Sequence, residues 1–125
     1  MADPGDLNLK HLSASTDGMP IVVTGTTAAA PTDVHVSAAG TAEIDLVTLL
    51  LCNTDESAEL MAGVVVYTGT AADPTHVVAK VALPPKSGAW VVLDGHPVGN
   101  GKKVGVYCPT TSKIVAFGKA PRATL

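Results

Sequence analysis

IDLVTLLLCNTDESAELMAGVVVY, residues 44–67, decides the fold. Ile44–Cys52 starts by alternating apolar and polar side chains and ends as a continuous apolar run. Period-two alternation marks a half-buried strand, and the switch predicts a central strand covered on both faces over its second half. NTDES (53–57) reads as a turn by composition. The next segment carries good helix formers at Glu59, Leu60 and Met61. Yet Ala58, Leu60, Ala62, Val64 and Val66 alternate strictly, and the VVVY end is β-branched and aromatic, so the reading is a strand.

Outward from this pair the same pattern repeats. Ile21–Thr24, Asp33–Ser37, His76–Leu83, Ala89–Leu93, Lys103–Cys108 and Lys113–Gly118 bring the strand candidates to eight. In Asp33–Ser37, Val34 and Val36 are expected on one face, with Asp33, His35 and Ser37 on the other. Val77, Ala79, Val81 and Leu83 point inward together, as do Val104, Val106 and Cys108. Pro84 and Pro85 stop a ladder because neither donates a backbone hydrogen bond. DGHPVGNG (94–101) reads as a Gly-rich loop, and its Gly99–Asn100–Gly101 end as a tight hairpin that needs positive φ.

Eight short antiparallel strands predict an all-β fold: an eight-stranded antiparallel β-sandwich, jelly-roll-like, with an extended N-terminal arm. An immunoglobulin-like sandwich is the second choice, without the Cys–Trp–Cys spacing that would support it. Residues 1–19 are polar and lack sustained periodicity. They are expected to form an arm that is either disordered or ordered on a neighbour. The sandwich is expected over 20–120 and a short tail over 121–125.

Composition narrows function by exclusion. Of the 125 residues, 15% are charged and the net charge is −3, the wrong balance for a protein that grips nucleic acid. Aromatics are 3%, too few for a base-stacking platform. Val47–Cys52 is too short to span a bilayer, and MADPGDLNLK has no apolar core of a signal peptide. Neither nucleic acid nor membrane is an expected partner. A weakly charged surface of Thr, Ala, Ser, Gly and Val loses little hydration when buried, which suits subunit contacts.

Reactive constellations are sparse. His11, His35, His76 and His96 lie in four segments, and the DVHVS strand lacks the second His of a cupin-type metal pair. There is no HExxH, CxxC or GxSxG. GNGKKVG matches no phosphate-loop spacing and precedes a strand, not a helix. Cys52 and Cys108 are read as buried free thiols, with a single disulfide as the alternative. Asp55, Glu56 and Glu59 read as a solvated rim, and Lys102, Lys103, Lys113, Lys119 and Arg122 make the C-terminal third mildly basic. No catalytic residue, cofactor or metal is expected.

Several segments carry a resemblance in their order: DLNLKHLSASTDGMPIVV, LLLCNTDESAE, LPPKSGAWVVLDG, GHPVGNGKKVGVY and the closing KIVAFGKAPR. Together they cover most of residues 6–122. In this order the chain resembles the small head decoration, or cement, proteins of tailed bacteriophages. The resemblance implies a non-enzymatic jelly-roll-like protein, made in the host cytoplasm and carried on the capsid exterior. It implies a homodimer or homotrimer that bridges adjacent major capsid protein subunits. The expected contacts are Leu7, Leu9 and Leu12 in the arm and His96 and Asn100 in the Gly-rich loop. Deleting residues 1–18 is expected to abolish capsid binding and leave a folded domain. The rival expectation is a carbohydrate- or receptor-binding module of a phage collar or tail, with Trp90 and Tyr67 as stacking residues. A small cupin-like enzyme is a third and lacks the metal ligands.

Overall fold

The computed structural model describes residues 7–8, 10–69 and 72–125. Its strands are β1 (Leu7–Asn8), β2 (Ile21–Val22), β3 (Thr32–Val36), β4 (Glu43–Asn53), β5 (Leu60–Tyr67), β6 (Val77–Leu83), β7 (Ala89–Gly99), β8 (Lys103–Tyr107), β9 (Ile114–Lys119) and β10 (Arg122–Thr124). The chain is all-β and forms two antiparallel sheets. In the first, β4 is central. β7 runs along one side of it, while β9 and β10 share the other side end to end, flanked in turn by β2 and β1. The second sheet has the order β3-β8-β5-β6.

The inward faces meet in one core. Val47, Leu49 and Leu51 of β4 pack with Val64, Leu83, Val104, Val106 and Ile114, all fully buried. Alternation along β4 persists to its end: the opposite face, at Leu50 and Cys52, is only half covered. The expected two-sided burial of its second half is therefore partial. Residues 58–67 are strand from Leu60 on, as the alternation predicts, and Val104, Val106 and Cys108 share the buried face. Cys52 and Cys108 are free thiols. A second, smaller cluster covers the outer face of β5, where Val65 and Tyr67 pack with Ala72 and Tyr107.

Four expectations need correction. First, the arm is not independent of the sandwich. β1 pairs with β10, His11 bridges Lys119, and the Ala120 amide donates to the Lys10 carbonyl at 3.0 Å. Leu12 is 1% exposed and belongs to the main core, so it offers no surface to a partner. Second, the tail is a strand: Arg122–Thr124 continue the line of β9 along β4 after a break at Ala120–Pro121.

Third, residues 94–99 are not loop. β7 runs through them with two register shifts against β4, and at one shift Asp94 and Gly95 stand opposite the single residue Thr48. Gly95 supplies the positive φ of 68° that such a bulge requires. Pro97 is tolerated because β7 pairs on one side only among the described strands. His96 thus sits in a strand opposite Val47, half-buried. The turn that follows does have the expected geometry: Asn100 and Gly101 have φ of 55° and 74°, and the Lys102 amide donates to the Gly99 carbonyl at 3.2 Å. However, the strands it joins, β7 and β8, lie in different sheets.

Fourth, β3 carries a bulge. Asp33 pairs with Gly105 and His35 with Val104, so Val34 is an extra residue. One extra residue inverts the side-chain parity that follows. Val34 and His35 are consequently both buried, and Val36, expected beside Val34, is 43% exposed.

Candidate functional site

The parity change at Val34 delivers His35 to a polar cluster between the two sheets. Asp45 has the same parity on β4 as Val47, Leu49 and Leu51, so its carboxylate faces inward and is fully buried. Arg122 on β10 is its direct cross-strand partner. The guanidinium binds the carboxylate through two parallel bonds, Nε to Oδ1 at 2.7 Å and Nη2 to Oδ2 at 3.0 Å. His35 donates from Nε2 to Oδ2 at 2.7 Å. Its other nitrogen, Nδ1, accepts the Ser13 amide at 3.0 Å, which places the imidazole proton on Nε2. The Ser13 hydroxyl accepts the Val36 amide at 2.7 Å. One imidazole therefore ties the arm and β3 to the carboxylate of β4, which in turn holds β10.

Burial by itself raises the Asp45 carboxyl, but the hydrogen bonds from Arg122 and His35 outweigh it and hold the group below the ordinary carboxylate range. The hydrogen bonds to Asp45 push Arg122 further up. Ser, His and Asp thus sit in one cluster, as in a catalytic triad, but the atoms are differently engaged. A triad needs the Ser hydroxyl on the imidazole. Here the imidazole takes the Ser13 main-chain N–H, and the hydroxyl is turned to Val36.

Above this cluster lies a groove of about 770 Å³ between the arm and the β9–β10 segment. Lys10, His11, Ser13, His35, Lys119 and Arg122 line its polar part. Arg122 uses Nε and Nη2 on Asp45, and its side chain lines the groove. Its side chain is 20% exposed.

Of the five expected contact residues, two, Leu7 and Asn100, stand at one end of the first sheet. Leu7 is opposite Ala123, Ala123 opposite Ile44, and Ile44 opposite Gly99, so the arm, the tail and the β7–β8 turn stand in one row. Three strand spacings separate its ends by about 14 Å. Asn100, exposed at one end of the row, lines a shallow groove of about 200 Å³ with Glu43, Ile44 and Leu125. His96 lies further along β7, and Leu12 is in the core. Leu9 lies outside the described residues, and Leu7 is described only in its backbone.

The two stacking candidates differ. Tyr67 is 5% exposed, with its hydroxyl donating to Asp33 and Lys103 over its ring, so no face is open to a sugar. Burial, then the Asp33 bond and charge, push its phenol up to about 12. Trp90 is 42% exposed at the sheet edge, with Nε1 donating to the Ser87 hydroxyl at 2.9 Å. Among the described residues, no group of three or more His, Cys, Asp or Glu is arranged to hold a metal ion. Asp55, expected on a solvated rim, is half-buried and accepts the Ser57 and Ala58 amides, which hold its carboxyl below the ordinary range.

Sequence reading missed Lys10, Asp45 and Ser13, and treated Lys119 and Arg122 only as part of a basic third. One signal was available: Asp45 is a charge at an inward position of a strand whose next inward residues are Val47, Leu49 and Leu51. No protein-family model, curated protein or solved structure matches the chain.

Proposed function

We propose that this chain is a non-enzymatic assembly protein of a tailed-bacteriophage virion, a jelly roll that sits on the capsid exterior and clamps neighbouring major capsid protein subunits. The strand order supports the jelly roll. Leaving aside the two-residue β1 and the tail strand β10, eight strands remain, with orders β2-β9-β4-β7 and β3-β8-β5-β6. Counted one to eight, these are 1-8-3-6 and 2-7-4-5, the interleaving that two Greek keys produce and that viral coat domains use. Because such a fold also serves lectins and cupins, it does not by itself assign the role.

The observation that carries the role is the row Leu7–Ala123–Ile44–Gly99. It gathers the arm, the tail and the Asn100 turn at one end of the first sheet, where a single surface can meet a partner. A weakly charged protein that bridges two shell subunits must be detached before they separate. Single contacts of micromolar strength, about −8 kcal/mol each, become effective through many copies. The arm contributes its backbone and the residues before Leu12, while Leu12 itself anchors the arm to the core. The lectin alternative keeps Trp90 and loses Tyr67.

The test is co-sedimentation of the purified chain with phage heads stripped of their decoration. Saturable binding at a fixed copy number per shell is the expected result. A chain that stays in the supernatant at all concentrations overturns the reading.

A further inference from the structure

The groove over the His35–Asp45–Arg122 cluster is a cationic site inside an acidic protein. The chain carries eight Lys and Arg, four His and eleven Asp and Glu. Three of those eight cations (Lys10, Lys119 and Arg122) and two of the four histidines line this one groove, and among the described residues no carboxylate lines it. Asp45 lies beneath, fully buried and spent on Arg122 and His35. Glu43 acts on Arg122 from along β4 but is outside the groove. We propose that the groove binds an extended, carboxylate-rich segment of a protein partner. Resting on the clamp reading above, this assigns the chemistry of the shell segment that the protein grips.

Three features argue for that occupant. The Asp45 carboxylate fixes the Arg122 fork in place, so the guanidinium meets a ligand already oriented, at little conformational cost. Lys10 and Lys119 are both exposed and lie on the two backbones that flank the groove: Lys119 bridges His11, and Ala120 bonds the Lys10 carbonyl. They therefore place a cation on each of the two walls of the groove. A groove of about 770 Å³ is larger and more open than a small anion needs, and it follows the arm.

The experiment uses the full chain, isotope-labelled, titrated at low salt with a ten-residue peptide of alternating Glu and Gly. A Lys–Gly counterpart and inorganic phosphate are the comparison probes. Amide shifts should concentrate at Lys10–Ser15 and Lys119–Arg122, and the affinity should fall with added salt. The double variant Lys10→Glu/Lys119→Glu should weaken the Glu–Gly peptide about tenfold or more, whereas Lys80→Glu/Lys113→Glu should not. Thermal midpoints of both variants establish that the fold is kept. Shifts spread evenly over all lysines, equal loss in both variants, or phosphate binding as tightly as the peptide would overturn the proposal. Shell co-sedimentation separates this failure from that of the clamp. If the wild type binds the peptide but not shells, the clamp fails and the groove stands. If both variants coat shells equally well, the groove inference fails and the clamp stands.

Discussion

The two edges of the first sheet solve the same problem in different ways. A free edge presents unpaired N–H and C=O groups that invite another strand. On the β9–β10 side the chain covers its own edge. β1, His11 and β2 pair along it in pieces, so the new outer edge is only two residues long at each strand. On the β7 side nothing pairs among the described residues. There the edge is deformed by two register shifts and carries Pro97, which has no N–H to offer. The covered side is held by a buried polar cluster and by Leu12. At the open side, Trp90 and Val91 remain 42% and 59% exposed. Covering an edge ties its stability to long-range contacts, whereas deforming one leaves its side chains free to change.

This contrast can be broken most sharply at Asp45. Asp45→Ala leaves Arg122 and His35 without their carboxylate and should cost about 3–5 kcal/mol, read from the urea midpoint. A loss below 1 kcal/mol would mean that the cluster does not secure the covered edge. Next comes Leu12→Ala, expected to cost about 2–5 kcal/mol and to make the arm a protease target. For the same reason, removal of residues 1–18 should leave a chain that does not hold its fold, contrary to the expectation from sequence. A stable, cooperative truncated domain would show that the arm is dispensable.

A pH series sharpens the comparison further. Asp45 is held below its unfolded value, so its contribution is fully present above the ordinary carboxylate pKa, near 4, and is lost as pH falls through the lower folded value. In Arg122→Gln the largest lowering influence is gone and burial remains, so the acid loss should begin at higher pH. Identical acid transitions in the two proteins would remove Arg122 from this role. The smallest effect belongs to the open edge. Val91→Lys should change stability by no more than about 0.5 kcal/mol. A loss above 1.5 kcal/mol would show that this edge is covered after all.

Much of the fold was readable from neighbouring residues. All eight strand candidates have counterparts, because period-two alternation and turn chemistry act over a few residues. Pro84–Pro85 and Asn100–Gly101 mark real chain reversals for the same local reason. The candidate site was readable only in fragments. Asp45 was visible as a misplaced charge, but nothing near it in sequence announced its partners. Alternation alone separates His35 from Val34, and the bulge that buries both depends on β8, not on residues 33–37 themselves. Arg122 looked like part of a tail because its reason for being a strand is 77 residues away, at Asp45.

Local spacing was thus enough for the number and type of elements, the inward faces of β4, β5 and β8, and the weakly charged character of the surface. On β6 it placed Ala79, Val81 and Leu83, but Val77, expected inward with them, packs beside Val65 on the outer face because Val78 is an extra residue opposite β5. Which strands lie side by side, how the arm is fastened, and where the cations collect were settled by the folded chain alone. These depend on pairings between distant segments, whose free energy comes from burial and from one shared carboxylate. No window of neighbouring residues contains both partners of such a bond.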